Sequence, residues 1–340
     1  MIRHIIPQET LRTATFPDIL GQEAVKEQVR SALLANRHII LVGPPGVGKT
    51  TLARGIARLI PERVVRDCPF RCDPDAPRCP RCIGTEAGKI GTLRLTPERS
   101  FIRVQGSPDL TAEDLIGDID PIKALAHGPL SVEAFTPGKI FQAHRGILFF
   151  DEINRCNEKL QNALLQALEE RSVTIGSYDV DFPADFLLIG TMNPDDTSTE
   201  ELSQVFLDRF DLVQIGYPES AKIENEIVTS RRITLPGVRV PDPLQTAIVS
   251  FVRQLRADKN LDRKPGVRAS IGIIDRATAT AALRGHTTVT PEDVAAVLTS
   301  VLAHRIAFKP SVKYLEDPIS YLTKQWLAFA RDHDLEGGVP

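Results

Sequence analysis

Gly43-Pro44-Pro45-Gly46-Val47-Gly48-Lys49-Thr50 follows directly on the apolar run Ile39-Ile40-Leu41-Val42. The eight residues match the phosphate-loop pattern G-x-x-x-x-G-K-[ST] at every specified position, and the run before them supplies the strand that the motif requires. Glycines at these places let successive backbone N–H groups converge on phosphate oxygens, and a helix opening at Lys49 adds its positive dipole end. The reading is a site for ATP and Mg²⁺. Gly43, Pro44, Pro45, Gly46, Val47, Gly48, Lys49, Thr50 and Thr51 would cradle the nucleotide, with Lys49 on the outer phosphates and the Thr50 hydroxyl on the metal.

The other half of an ATPase site is an acidic pair ending a second buried strand. Ile147-Leu148-Phe149-Phe150-Asp151-Glu152 supplies it. Asp151 is expected in the Mg²⁺ shell, and Glu152 is expected to orient and deprotonate the attacking water. An apolar run ending in Asp-Glu is common by itself. Its weight comes from pairing with the glycine loop at this separation.

Outward from these motifs, 340 residues suffice for one large or two ordinary domains. Lys plus Arg number 41 against 44 acidic residues, a net charge of −3, so no global basic signal points to nucleic acid. No apolar stretch approaches the roughly 18 residues of a membrane span, and Met1-Ile2-Arg3-His4 is not followed by a secretory apolar region. The expected location is the cytoplasm.

Residues 17 to about 215 alternate short apolar strands with amphipathic helices, the pattern of an α/β fold with a parallel sheet covered on both faces. The strand candidates are Ile39–Val42, Phe101–Val104, Ile147–Phe150, Leu187–Gly190 and Leu212–Ile215. Helical patterns then take over at Ala221–Arg231, Pro243–Ala257, Ala269–Arg284 and Pro291–His304. The last is marked by Thr290 as N-cap, Pro291 at the first helical position and Asp293 three residues after the cap. The expected division is a nucleotide-binding domain over 1–216, a helical lid over 217–307 and an extension over 308–340. Tyr321, Leu322, Trp326, Leu327 and Phe329 would dock the extension as a helix.

The ordered set of phosphate loop, acidic strand end, Leu187-Leu188-Ile189-Gly190-Thr191-Met192-Asn193-Pro194 and Phe206-Leu207-Asp208-Arg209-Phe210 resembles an AAA+ ATPase. Within that superfamily it resembles the branch of the magnesium-chelatase ATPase subunit and the MoxR proteins. Gly117-Asp118-Ile119-Asp120, Phe135-Thr136-Pro137-Gly138, the run from His144 to Asn154, and Gly190 to Pro194 are the closest stretches. The resemblance covers most of residues 17 to 300. It implies a P-loop core with a small all-α lid and a hexameric ring. It implies that Asn193 is the sensor 1 residue, that Arg209 is an arginine finger reaching the neighbouring subunit's ATP, and that Arg268 in Gly266-Val267-Arg268-Ala269-Ser270 is the sensor 2 arginine. Taken alone, Asp208-Arg209 reads as a surface ion pair, and a helix start often carries an arginine such as Arg268.

Two insertions stand out. Val173, Ile175, Tyr178, Val180 and Phe182 alternate around Gly176-Ser177 as a β-hairpin before the sensor strand. Residues 118–146 look like the insertion within helix 2 that related ATPases project toward the pore or a partner. Both read equally as loop packing or as partner contact.

Cys68-Pro69-Phe70-Arg71-Cys72 and Cys79-Pro80-Arg81-Cys82 depart from the usual photosynthetic chelatase pattern. The spacing C-x₃-C-x₆-C-x₂-C, broken by Pro69, Pro74, Pro77 and Pro80, cannot continue a helix and offers few apolar side chains for a core. A metal would supply the missing order. Zn²⁺ in a closed four-thiolate site comes first, an iron–sulfur cluster second and two disulfides third, since disulfides are disfavoured in a cytosolic protein. Cys156 reads as a small core or helix-start residue.

The sum is an ATPase motor that acts on something else. Its target is a chelatase subunit of a metal-insertion enzyme, a partner carrying a von Willebrand A-type domain as for MoxR-like chaperones, or nucleic acid. The acidic balance puts nucleic acid last.

Overall fold

The apolar run before the glycine loop becomes strand β1 (His38–Val42), with Ile39 through Val42 all buried. Continuous rather than alternating burial marks a strand covered on both faces, which a parallel sheet flanked by helices provides. The computed structural model describes residues 5–84, 89–128, 131–174, 181–194, 201–312, 314 and 316–335. They fall into two units, the first holding most of the chain up to residue 215, the second holding residues 20–22, 44–47 and 216 onward.

In the first unit, α1 (Gln8–Thr13) and α2 (Glu23–Leu34) precede β1, and α3 (Lys49–Ala57) follows the loop. β2 (Arg63–Arg66) and β3 (Thr92–Leu95) then pair antiparallel, and the cysteine segment with its single turn α4 (Pro80–Ile83) connects them. β4 (Phe101–Gln105) and α5 (Ala112–Ile116) lead into a second hairpin, β5 (Gly117–Ile119) with β6 (Phe135–Pro137), enclosing α6 (Pro121–His127). Next come α7 (Lys139–Gln142), β7 (Ile147–Asp151) and α8 (Glu158–Glu170). A third hairpin of β8 (Ser172–Thr174) and β9 (Asp181–Pro183) precedes β10 (Leu187–Met192), α9 (Gln204–Leu207) and β11 (Phe210–Gln214). The tip of that hairpin, with Ile175, Gly176, Ser177, Tyr178 and Val180, lies outside the described residues.

Five strands form one parallel sheet in the order β11-β1-β10-β7-β4. Parallel pairing puts all five C-terminal ends on one edge, where open α/β sheets bind ligands. β10 lies between β1 and β7, so the strand ends that lead into Gly43 and into the acidic pair flank the end of β10.

The expected Leu212–Ile215 strand is displaced to Phe210–Gln214. β11 is an edge strand and alternates, with Phe210 and Val213 buried and Leu212 46% exposed, so its apolar run does not mark its boundaries.

In the second unit, α10 (Ala221–Arg231), α11 (Asp242–Ala257), α12 (Val267–Leu283), α13 (Pro291–Leu302) and α14 (Pro318–Asp332) carry most of the structure. β12 (Leu261–Arg263) and β13 (Ala307–Phe308) form a short antiparallel pair. Thr290 and Asp293 make the expected reciprocal cap on α13. The helix of the C-terminal extension is part of this unit's core. The Trp326 and Phe329 rings meet Phe251 edge-on at 5.1 and 5.3 Å, and Tyr321 and Leu322 are buried beside them, whereas Leu327 is only half-buried. Among the described residues no helix is long and apolar enough to cross a membrane.

Candidate functional site

α3 opens at Lys49 directly after Gly48, whose φ of 100° lies in the left-handed region open to glycine. That turn aims the first N–H groups of α3, which have no partner within the helix, at the space beyond β1. Thr50 and Thr51 stand in this first turn, half-buried, and Lys49 Nζ donates to the Gly43 carbonyl. Residues 44–47 group with the second unit, and within that unit a Cβ placed on Gly46 (φ 85°) would lie 3.1 Å from Arg268 Cγ. Arg268 is the second residue of α12.

Asp151 ends β7, and Glu152 follows with φ 56° and ψ 51°. A left-handed conformation costs a residue other than glycine about 1–2 kcal/mol, so surrounding bonds must hold it. Thr191, 1% exposed at the end of β10, does this from one hydroxyl: it accepts from Glu152 N at 2.9 Å and donates to Asp151 Oδ1 at 2.6 Å. On the other flank, Gly106 N donates to Asp151 O at 2.6 Å, and a Cβ at Gly106 would fall 2.0 Å from the Glu152 carbonyl oxygen. Glycine alone permits that approach.

The two carboxylates have separate partners. Arg103 Nη2 lies 2.7 Å from Asp151 Oδ2 and 3.0 Å from Gln105 Oε1. Gln105 Nε2 donates to Glu152 Oε2 at 2.9 Å, and Arg155 Nε lies 3.4 Å from the same oxygen. Sequence reading did not single out Arg103, Gln105, Arg155 or Thr191. The one local signal was the polar alternation Arg103-Val104-Gln105 at the end of a strand; it gains meaning only from the register that sets Gln105 opposite Asp151.

Asn193 follows the last residue of β10, at the strand end between those carrying the glycine loop and the acidic pair. Arg209 stands elsewhere. It precedes β11, whose pairing with β1 runs from Phe210 opposite His38 to Gln214 opposite Val42. Arg209 is therefore at the sheet edge away from the glycine loop, roughly 13 Å back along the strand. It pairs there with Glu169 of α8, and its Nη1 donates to Val205 O at 2.9 Å.

The four cysteines between β2 and β3 converge. Cys68, Cys72, Cys79 and Cys82 are buried, unbonded to one another, and their Sγ atoms all lie within 4.8 Å. A tetrahedral ion with metal–sulfur bonds of about 2.3 Å has sulfur–sulfur edges of about 3.8 Å, so the set fits one ion with slight contraction. Backbone N–H groups of Cys72, Cys79 and Cys82 point at the sulfurs of Cys68, Cys72 and Cys79 at 3.3–3.4 Å. Hydrogen bonds from Cys72 and Cys79 push the Cys68 thiol far below its usual range, while hydrogen bonds to Cys68 and Cys72, with burial, push Cys79 up. Cys156 lies apart in the core, 0% exposed, its thiol pushed up to about 12 by burial.

The chain is similar to known families and proteins. A family model described as "ATPase family associated with various cellular activities (AAA)" matches residues 86–212, "AAA lid domain" matches residues 264–319, and "Magnesium chelatase, subunit ChlI" matches residues 15–68. The magnesium-chelatase 38 kDa subunit of Acidiphilium rubrum is 32% identical, over 87% of this chain and 91% of its own. The magnesium-chelatase subunit ChlI homolog of Methanocaldococcus jannaschii is 30% identical, over 87% of this chain and 86% of its own. The chloroplastic ChlI subunit of Nicotiana tabacum is 28% identical, over 97% and 82%.

Proposed function

Because the chain belongs to the magnesium-chelatase ATPase-subunit family of AAA+ proteins and hydrolyses ATP, we propose that it is a ring-forming motor that remodels a partner protein. The observation that carries this reading is that Gly43, at the end of β1, Asn193 and the Asp151-Glu152 pair stand at the ends of three neighbouring parallel strands of the first unit.

In this reading Lys49 leaves the Gly43 carbonyl to pair with the outer phosphates. Mg²⁺, when bound, neutralises phosphate charge, and the Thr50 hydroxyl and Asp151 carboxylate are the hard oxygen donors it prefers. Thr191 keeps Asp151 and the Glu152 backbone in register. Glu152 takes the proton of the water that attacks the γ-phosphate, and Asn193 orients that water. Arg268, beside Gly46 in the second unit, reports nucleotide state to α12. Arg209 stands too far along the sheet to serve its own chain's loop. That supports its acting on the ATP of a neighbouring subunit, as the finger of a hexameric ring, where a guanidinium of this kind is worth on the order of 10³-fold or more.

The names of the relatives support a partner that is a chelatase subunit of a metal-insertion enzyme, with a MoxR-type partner carrying a von Willebrand A-type domain as the other protein target. We place the ring in the cytoplasm, where four clustered thiols stay reduced. The test is affinity capture on the Glu152→Gln variant held in ATP, with protein and nucleic acid both identified. Recovery of a chelatase-like or adhesion-domain protein supports the reading; DNA without such a protein overturns it in favour of a helicase-like motor. Unchanged hydrolysis by Glu152→Gln would refute Glu152 as the base.

A further inference from the structure

We infer that Zn²⁺ held by Cys68, Cys72, Cys79 and Cys82 fixes Phe70 as a wedge against the two insertion hairpins, so that metal occupancy sets how firmly these hairpins are held. The wedge and the metal stand on observations independent of the ATPase reading.

Phe70 is enclosed by the first cysteine pair. Its ring stacks on Phe182 of β9 at 4.6 Å and 13°, meets Phe141 of α7 edge-on at 5.2 Å, and lies 6.3 Å from Phe135 of β6. One side chain therefore joins the β5–β6 insertion to the β8–β9 hairpin. It projects from a segment that is rich in proline and has no other aromatic ring among its described residues. Such a segment loses much conformational freedom on ordering and has little apolar burial to offset that loss.

What orders it is polar. Arg66 of β2 reaches Pro74 O at 2.9 Å and Cys82 O at 3.4 Å, and Arg145 Nη1 lies 2.8 Å from Asp73 Oδ2. Arg71, in a left-handed conformation with φ 50°, spans to the carbonyls of Arg99 and Gln142. These bonds tie the rim of the loop. Its centre holds four buried sulfur atoms, and without an ion they are four mutually crowded thiols.

The sulfur positions fit a single tetrahedral ion rather than a cluster, and Zn²⁺ is the ion that closed four-thiolate structural sites take. An iron–sulfur cluster interposes several iron and sulfide atoms and spreads its four thiolates beyond the reach of one ion, whereas these sulfurs all lie within 4.8 Å. The backbone N–H groups on three of the sulfurs match the outer hydrogen bonds that stabilise thiolate ligands. A cavity of about 300 Å³ borders Phe70, Cys72, Cys79 and Phe182, so β9 has room to shift when the wedge is released.

The test needs neither nucleotide nor partner. Metal analysis of the full chain should find zinc at one per chain. Amide hydrogen exchange in peptides spanning β5–β6 and β8–β9 should rise about tenfold or more after zinc is stripped with a chelator. The same rise should appear in Phe70→Ala, which keeps its zinc, while β1, β7 and β10 stay protected. Iron with visible absorbance, or a chain free of metal, overturns the zinc assignment. Zinc with unchanged exchange in Phe70→Ala overturns the wedge. If chelation unfolds the whole unit, Phe70→Ala decides alone.

Discussion

Gln105 Nε2 donates a 2.9 Å hydrogen bond to Glu152 Oε2, from the end of β4 to the residue just past β7. The general base of the proposed mechanism is therefore held by a neutral amide on a neighbouring strand. Replacing that amide with a carboxylate puts two like charges within hydrogen-bond distance, and such a pair retains a proton to higher pH. Gln105→Glu is expected to move the acidic limb of the ATPase pH–rate profile upward by about one unit or more. A profile superimposable on wild type would separate Gln105 from the chemistry.

Thr191 serves both acidic residues through one hydroxyl, so its loss strips a bond from the Asp151 carboxylate and one from the strained Glu152 backbone. Thr191→Val keeps the shape and removes both. It should lower kcat by about ten- to a hundredfold and cost about 1–3 kcal/mol of stability in denaturant unfolding. Thr191→Ser should recover most of both, because the hydroxyl rather than the methyl carries the effect.

His38 is pushed down to about 4 by burial, with Arg171 and Arg37 adding to the shift, and His144 is pushed down to about 4 by burial with Arg63 and Arg145. Each ring accepts a backbone hydrogen bond, His38 from Leu188 N at 3.0 Å and His144 from Asp185 N at 3.2 Å, which requires an unprotonated Nδ1. In the unfolded chain both histidines titrate near about 6.5. Their contribution is thus whole above that pH and is lost as pH falls towards about 4. The first unit should lose about 1.4 kcal/mol per pH unit for each histidine across this window. His38→Gln should flatten the slope by one proton's worth, as read from denaturation midpoints at a series of pH values.

In the second unit, Glu224 is 0% exposed and meets Arg256 with both oxygens, along with Arg253 Nη1 at 3.3 Å and Ser270 Oγ at 3.0 Å. Arg256 also donates to Pro265 O at 2.7 Å, just before α12 and Arg268. Glu224→Ala leaves a buried guanidinium uncompensated and should destabilise this unit by about 3–5 kcal/mol. Thermal unfolding should show it as a separate, earlier transition.

The glycine loop, the acidic strand end and the Thr290 cap could be read from sequence because each is a short contiguous string with its own backbone requirement. The cysteine cluster could be read because spacing restricts where thiols can go. Thr191, Gln105 and Arg103 were hidden for the opposite reason. Their roles depend on which strand lies beside which, and β10 reaches β7 across dozens of intervening residues. Phe70 looked like one apolar residue in a polar loop until β9 and α7 were folded around it. Leu212 misled because an edge strand can expose an apolar side chain without penalty to the sheet.

The strand order also dictates a schedule for biosynthesis. β1 is made among the first strands, yet both its neighbours in the sheet, β10 and β11, come last, and His38 waits for Phe210. A ribosome adding about 5–20 residues per second leaves β1, with its apolar Ile39-Ile40-Leu41-Val42, unpaired for on the order of ten seconds or longer. No stable sheet can close beside β1 before Phe210–Gln214 has been synthesised. Truncated nascent chains ending before Phe210 should accordingly bind holdase chaperones, and those extended well past Gln214 should let them go.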